Sequence, residues 1–266
     1  MTDTVVYRTE NGVATIAMNR PERRNSFTIE MADGLLDSLE RAENDRSIRS
    51  VIITSTGDHF CVGRDNSDTN PPPYPRGDHL RGRTSLMHYA RLVTFLHEMN
   101  TPSVAEIRGG CAGAGMSLAL NCDFRYAATT VVMSTAFVKV AFGGDLAAPW
   151  QLTRLVGPNK AKELMLLSPK LRGAELLRWG LVNDVVEPEE LSAKVTSVAT
   201  LLASYSPTAI AAARRNLQAA LSLSLGDYLP LEAEQFAVCA ASPDAEEARL
   251  AFVEKRAPRF AGAGPS

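Results

Sequence analysis

Two glycine-containing segments, each placed directly after a predicted strand, constrain this sequence more than any other feature. The first is residues 59–65 (HFCVGRD), after a buried strand predicted at 50–54. The second is residues 108–117 (RGGCAGAGMS), after a strand predicted at 102–107 and before a helix predicted at 114–120. Taken separately, each segment indicates only a turn at the end of a strand. Both belong to a part of the chain in which strands and crossover helices alternate.

The other elements are predicted from periodicity and turn signals. Residues 5–7 and 13–18 flank Asn11-Gly12 and predict a β-hairpin. Apolar residues at helical spacing predict an amphipathic helix from 29 to 44. Further strands are predicted at 124–127 and 131–133, and further helices at 85–97, 151–156, 161–167, 174–179, 189–203, 207–221 and 245–254. We therefore predict an α/β fold with a core of strands and crossover helices at 1–188 and a helical C-terminal region at 189–266.

A proline-rich segment interrupts this pattern. Residues 70–77 (NPPPYPRG) cannot sustain a helix or a strand, because proline removes a backbone donor and fixes φ. We predict a surface loop around Pro71-Pro72-Pro73 that acts as a lid or access loop.

Charge and composition exclude several classes of function. The 28 basic and 30 acidic residues give a net charge of −2, so nucleic acid is not an expected partner. No apolar run approaches the ~20 residues of a membrane span, so no membrane association is expected. The four cysteines form no C-x-x-C pair, the N-terminus lacks a signal-peptide pattern and the histidines lack metal-ligand spacing. We expect a cytoplasmic protein without a bound metal.

Taken in this order, and followed by residues 118–123 (LALNCD), the two glycine segments resemble the crotonase superfamily of enoyl-CoA hydratases and isomerases. The resemblance also covers residues 19–25, 137–140, 152–157, 179–183 and 252–260, and so spans almost the whole chain. It implies a spiral of ββα units with two roughly perpendicular sheets, and a C-terminal helical region that trimerises, often as a dimer of trimers. It also implies an acyl-CoA substrate and no separate cofactor, since coenzyme A enters as part of the substrate.

The resemblance implies that the backbone N–H groups of Arg64 and Ala114 form an oxyanion hole for the thioester carbonyl. Removing a proton next to a thioester builds negative charge on that oxygen, and each fixed donor can be worth ~3 kcal/mol in kcat. Gly63 and Gly113 would let the substrate approach the backbone closely, and Cys61 lies in the same substrate-binding segment.

The sequence departs from the hydratases of the superfamily at both catalytic glutamates. The match places Ser117 at the first of these positions and Phe137 at the second, so we expect both to line the substrate pocket without acting as acids. Asp145 lies eight positions after Phe137, where several isomerases carry their proton-transferring base and a dehalogenase branch carries a nucleophile. One carboxylate suffices to move a proton between two carbons, which is a double-bond shift.

Two basic residues are expected at the coenzyme. The match places Arg24, beside Arg23, near the coenzyme A phosphates, and Lys255 of a neighbouring subunit in the same region. Without the resemblance both would be ordinary solvated charges.

Three functions remain open on the sequence. The first is an enoyl-CoA isomerase in which Asp145 moves the proton, and the second is a hydratase with a non-standard acid and base. The third is a catalytically weak acyl-CoA-binding protein that has kept its oxyanion hole and lost its carboxylates.

Overall fold

A computed structural model of the chain describes residues 3–65 and 79–261. The strands are β1 (Val5–Glu10), β2 (Val13–Met18), β3 (Ser50–Ser55), β4 (Ser103–Ile107), β5 (Gly110–Ala112), β6 (Phe124–Ala128), β7 (Val132–Ser134), β8 (Leu171–Arg172) and β9 (Asp184–Val186). The helices are α1 (Ile29–Asn44), α2 (His79–Glu98), α3 (Ala114–Leu120), α4 (Ala148–Lys162), α5 (Gly173–Arg178), α6 (Pro188–Ala203), α7 (Pro207–Ala220), α8 (Leu225–Ala240) and α9 (Pro243–Glu254). The predicted lid loop at 71–73 lies outside the described residues.

The strands form two sheets, one of six strands in the order β1-β2-β3-β4-β6-β9 and one of three in the order β5-β7-β8. Asn11 and Gly12 connect β1 to β2 with φ of 49° and 78°, as a tight hairpin turn requires. The other pairs of the larger sheet are parallel. Every residue of β3 and β4 is buried, as expected of strands covered on both faces. The predicted alternation of strands and crossover helices is confirmed.

Helix α1 has the predicted bounds and covers one face of the larger sheet. The hydroxyl of Thr28 caps its first turn by accepting a hydrogen bond from Met31 N (3.2 Å). A buried stripe at helical spacing runs from Met31 through Leu35 to Leu39. Helix α1, which connects β2 to β3, therefore packs against β2.

Three local predictions need correction. The helices predicted at 151–156 and 161–167 are one span, α4, bent at Gly157 (φ 75°, ψ 164°) and continued by a π-helical turn at Glu163–Leu167. The glycine-rich bend before α3 contains a short strand, β5, because it pairs with β7. Helix α8 was not predicted, since Pro230 interrupts its pattern and none of its residues is buried.

The C-terminal helices differ in how they contact the sheet. Helix α6 buries Leu191 and Val195, and Ala199 O accepts a hydrogen bond from Ser50 Oγ in β3 (2.8 Å). Helix α8 instead exposes large apolar side chains, with Leu225 at 72% and Phe236 at 74% exposure. In the described part of the chain no single helix could cross a membrane, and only α6 and α7 together, bent by 103°, reach the necessary length and composition. The boundary near residue 188 and the trimer stay predictions.

Candidate active site

The two glycine-containing segments lie side by side, although they are about fifty residues apart in the sequence. Ala112 N donates a hydrogen bond to Cys61 O (2.9 Å), and Gly110 N donates to His59 Nδ1 (2.9 Å). These bonds align the segment after β3 with the segment that enters α3. The two segments, each a weak signal in the sequence, therefore form one structural unit, which we call the glycine unit.

The two segments also approach each other at Gly63 and Gly113. Their φ angles are 101° and 51°, a region that residues with side chains rarely adopt. A Cβ atom on Gly113 would lie 3.6 Å from Gly63 Cα, so a side chain there would be in van der Waals contact with the Gly63 backbone. The residues that follow are Arg64 and Ala114, and Ala114 is the first residue of α3, where amide groups have no partner within the helix. The oxyanion hole expected from the amides of Arg64 and Ala114 stays a prediction.

The carboxylate of Asp145 reaches this unit through Ser117. Ser117 is fully buried in α3, and its Oγ donates to Asp145 Oδ1 (3.2 Å), with Gly113 O as an alternative acceptor at 3.2 Å. Asp145 is partly buried, and its burial raises its pKa to about 6, against the opposing effects of the Ser117 hydrogen bond and the Arg64 charge. A carboxyl group with this pKa can both take up and return a proton near neutral pH.

Phe137 forms an apolar wall beside Gly113. Its ring carbon Cε1 would lie 3.9 Å from a Cβ atom on Gly113, and the side chain is only 5% exposed. The residue begins a 3-10 helical turn, Phe137–Val140. Ser117 and Phe137 thus both lie beside the glycine unit, and neither carries a carboxyl group.

The thiol of Cys61 is buried rather than open to a ligand. Its Sγ lies 3.9 Å from Gly63 O, and burial raises its pKa to about 12, so it is no nucleophile at neutral pH. If Cys61 contacts the substrate, it does so through its backbone. Its role in substrate binding stays a prediction.

The loop that carries Arg24 is held against the first glycine segment. Asn25 is fully buried, and its Nδ2 donates to His59 O (2.8 Å). Arg24 itself is exposed, and with Arg64 it lines a cavity of about 290 Å³. Asp65 accepts a charge-assisted hydrogen bond from the Arg20 guanidinium (2.9 Å), which also links the Arg24 loop to the first glycine segment. Three guanidinium side chains, those of Arg23, Arg24 and Arg64, therefore border one cavity together with the carboxylates of Glu22 and Asp65.

Lys255 lies apart from these residues in the sequence. It is exposed and ends α9 with φ of 54°. Its expected contact with a coenzyme bound to a neighbouring subunit stays a prediction. Within residues 3–65 and 79–261, no three His, Cys, Asp or Glu side chains are grouped as metal ligands would be.

Two residues that sequence reasoning did not single out hold the Asp145 loop. Asn121 Nδ2 donates to Leu146 O (2.9 Å), and Gln151 Nε2 donates to Asn121 Oδ1 (2.9 Å). The sequence carries little signal for this network, because it joins α3 to the start of α4 across an irregular turn.

The chain is similar to known proteins over nearly its whole length. The chain matches the family model "Enoyl-CoA hydratase/isomerase" over residues 8–263. It is 32% identical to the 1,2-epoxyphenylacetyl-CoA isomerase of Escherichia coli K12, over 98% of this chain and 100% of that protein. It is 34% identical to the (E)-benzylidenesuccinyl-CoA hydratase of Thauera aromatica, over 97% and 99%. The solved structure of an enoyl-CoA hydratase from Polaromonas sp. JS666 superposes with a TM-score of 0.90 at 27% identity, covering 96% of this chain and 99% of that one.

Proposed function

This chain belongs to the enoyl-CoA hydratase/isomerase family and has the crotonase-like α/β fold, and on that basis we propose that it is an enoyl-CoA double-bond isomerase with Asp145 as its proton-transferring base. The observation that carries the proposal is the Asp145 carboxylate, which is partly buried and accepts a hydrogen bond from Ser117 beside Gly113. Ser117 and Phe137 occupy the other positions where a second carboxylate would act.

The reaction begins with a 3-enoyl-CoA whose thioester oxygen accepts hydrogen bonds from the N–H groups of Arg64 and Ala114. The Asp145 carboxylate takes a proton from C2, and the electron pair of that C–H bond delocalises onto the thioester oxygen as a dienolate. The protonated Asp145 then returns the proton to C4. The double bond moves from C3–C4 to C2–C3, with no net gain or loss of atoms. Each amide donor contributes ~3 kcal/mol to this step.

The electrostatics of Asp145 suit both halves of this reaction. With a pKa of about 6, the group is mostly ionised at pH 7 and ready to accept a proton. It is also a stronger base than an ordinary aspartate, because burial disfavours its charged form. Abstraction of the C2 proton therefore has a smaller difference in basicity to overcome.

The coenzyme half of the substrate is proposed to extend along the cavity bordered by Arg24 and Arg64. Guanidinium groups bind phosphates with paired, directional hydrogen bonds. Lys255 of a neighbouring copy would add a further positive charge. The proposed chemistry needs no cofactor besides the coenzyme A of the substrate, and we place it in the cytoplasm.

We further propose that the chain forms a homotrimer, or a dimer of trimers, through its C-terminal helices. The exposed apolar side chains of α8, such as Leu229 (50%) and Phe236 (74%), support this proposal. Light scattering on the purified protein should give three or six times the mass of one chain, and Phe236→Glu should lower that mass. A monomer with the parent sequence would contradict the proposal.

Hydration is the second candidate function, and the name of the Thauera aromatica relative favours it. Addition of water needs one group to deprotonate the water and another to protonate the α carbon. In this site Asp145 would have to work with the neutral hydroxyl of Ser117, which is a weak acid. The geometry therefore supports isomerisation better.

Turnover with two substrates separates the candidates. We expect 3-enoyl-CoA to be converted to 2-enoyl-CoA without water uptake, as followed by chromatography and mass spectrometry. Formation of 3-hydroxyacyl-CoA from 2-enoyl-CoA would identify a hydratase instead. Binding of both thioesters without conversion of either would leave the acyl-CoA-binding function, and would contradict the proposed reaction.

A further inference from the structure

We infer that Asn121 and Gln151 are positioning residues for Asp145, holding the loop that carries it so that the carboxylate faces the glycine unit. The inference rests on the proposed isomerase function. It assigns a role to the hydrogen bonds of Asn121 and Gln151, which are not themselves catalytic groups.

Asn121 joins three elements through its side chain. It ends α3, is only 7% exposed, and donates through Nδ2 to both Ser117 O (2.7 Å) and Leu146 O (2.9 Å). Its Oδ1 accepts from Gln151 Nε2 (2.9 Å), in the first turn of α4. Both hydrogens of the amide and its oxygen are therefore used, and the orientation of the amide is fixed by its partners.

The loop that the network holds has an unfavourable backbone. Leu146 and Ala147 directly follow Asp145 and have φ of 44° and 61°, and Gly144 precedes it with φ of 124°. Left-handed angles at residues other than glycine persist only where the surroundings hold them. The hydrogen bond from Asn121 to Leu146 O lies within this strained segment, one residue from Asp145. Without it, the loop can relax toward ordinary angles and turn the carboxylate.

Ser117 and Asn121 act on Asp145 at different points. Ser117 bonds the carboxylate itself, whereas Asn121 bonds the neighbouring peptide. Among the described residues, the other charged or titratable groups that face Asp145 are the Arg64 guanidinium and the buried Cys61 thiol. Both lie on the first glycine segment, so they are not moved by a change in the 144–147 loop.

Opposite effects on the pKa of Asp145 follow. Removing the Ser117 hydroxyl takes away a hydrogen bond to the charged form, so the pKa should rise. Releasing the loop by removing the Asn121 amide should expose the carboxylate to water, so the pKa should fall. A residue that merely stabilised the fold would not move the pKa in this way.

The test uses Asn121→Leu and Gln151→Leu, with Asn44→Leu as the matched control. Asn44 Nδ2 also donates to the carbonyl four residues earlier, Glu40 O (2.8 Å), but it lies exposed at the end of α1. Isomerisation of 3-enoyl-CoA is measured as kcat and KM across pH. For Asn121→Leu we expect kcat to fall by roughly 10- to 100-fold with little change in KM, because misplacing a catalytic group by about 1 Å can cost that much. Gln151→Leu should show a smaller loss, and Asn44→Leu none.

The pH dependence of kcat/KM gives the second readout, with ¹³C NMR titration of the Asp145 carboxyl as a measurement independent of activity. The acidic side of the kcat/KM profile, where activity falls as Asp145 is protonated, should move to lower pH in Asn121→Leu and to higher pH in Ser117→Ala. A folded Asn121→Leu variant with parental kcat and an unmoved acidic side of the profile overturns the inference. If that variant does not fold, Gln151→Leu decides by the same criteria.

Asp145→Asn separates this inference from the proposed function. If Asp145→Asn isomerises normally, the proposed function is wrong. If it is inactive while Asn121→Leu and Gln151→Leu behave as the parent, only the positioning role is wrong.

Discussion

Replacing Asp145 with asparagine should make the protein more stable at neutral pH, because burial opposes the charge that the site needs. The pKa of Asp145 is about 6 in the folded chain, against an ordinary value of 3.8. At about pH 3 and below, the carboxyl is protonated in both the folded and unfolded states, so it does not lower the stability of the fold. Between pH 4 and 6 the unfolded state ionises first, and stability falls as pH rises. Above pH 6 the full penalty is present.

The size of this penalty follows from the shift of about two pKa units. At about 1.4 kcal/mol per unit the upper limit is about 3 kcal/mol, and partial exposure of the side chain reduces it to about 1–2 kcal/mol. Asparagine has the same shape, stays neutral and can still accept the Ser117 hydrogen bond through its oxygen.

Urea unfolding of the parent and of Asp145→Asn, at one protein concentration, measures this difference. We expect the variant to be more stable by about 1–2 kcal/mol at pH 7.5 and equal to the parent at about pH 3. Because both proteins share all other titrating groups, their difference isolates Asp145. A variant less stable than the parent at pH 7.5, or a difference that does not change with pH, would refute the reasoning.

Three further substitutions test the surrounding site. Gly63→Ala forces a side chain onto φ of 101° with its Cβ 3.2 Å from Ala112 O, and should lower kcat by about 10²-fold in a steady-state assay. Phe137→Ala should lower the free energy of unfolding by about 3 kcal/mol in a denaturant titration, since it opens a cavity in the buried wall. Arg24→Ala should raise KM for the CoA thioester roughly tenfold, with a smaller effect at high salt, because it removes a charged partner of the phosphates. A parental value in any of these measurements would contradict the role given to that residue.

The sequence predicted the fold best where local signals were strong. Asn11-Gly12 identified the hairpin and a regular apolar stripe identified α1 with its bounds. Helix α8 was missed because its apolar residues face outward. They therefore do not form the buried stripe by which a helix is recognised in a sequence. The strand β5 was missed because three residues that include a glycine carry no strand pattern of their own, and only pairing with β7 makes them one.

The candidate site was predicted mainly through the resemblance to a family. That resemblance selected Asp145, which by itself looks like an ordinary aspartate in a glycine-rich turn. The hydrogen bond from Ser117 to Asp145 spans 28 residues, and the link from Asn121 to Leu146 depends on left-handed angles after Asp145. No pattern of residue types encodes such angles at leucine and alanine, so these contacts emerged only from the structure.

The central claim is that Asp145 moves the proton, and single-turnover isomerisation of 3-enoyl-CoA by Asp145→Asn tests it most directly. The reaction is run in H₂¹⁸O, with thioester binding measured in parallel. We predict that the parent forms 2-enoyl-CoA without incorporating ¹⁸O. We predict that the variant binds the thioester as the parent does but reacts about 10²- to 10⁴-fold more slowly. Undiminished isomerisation by Asp145→Asn would contradict the account.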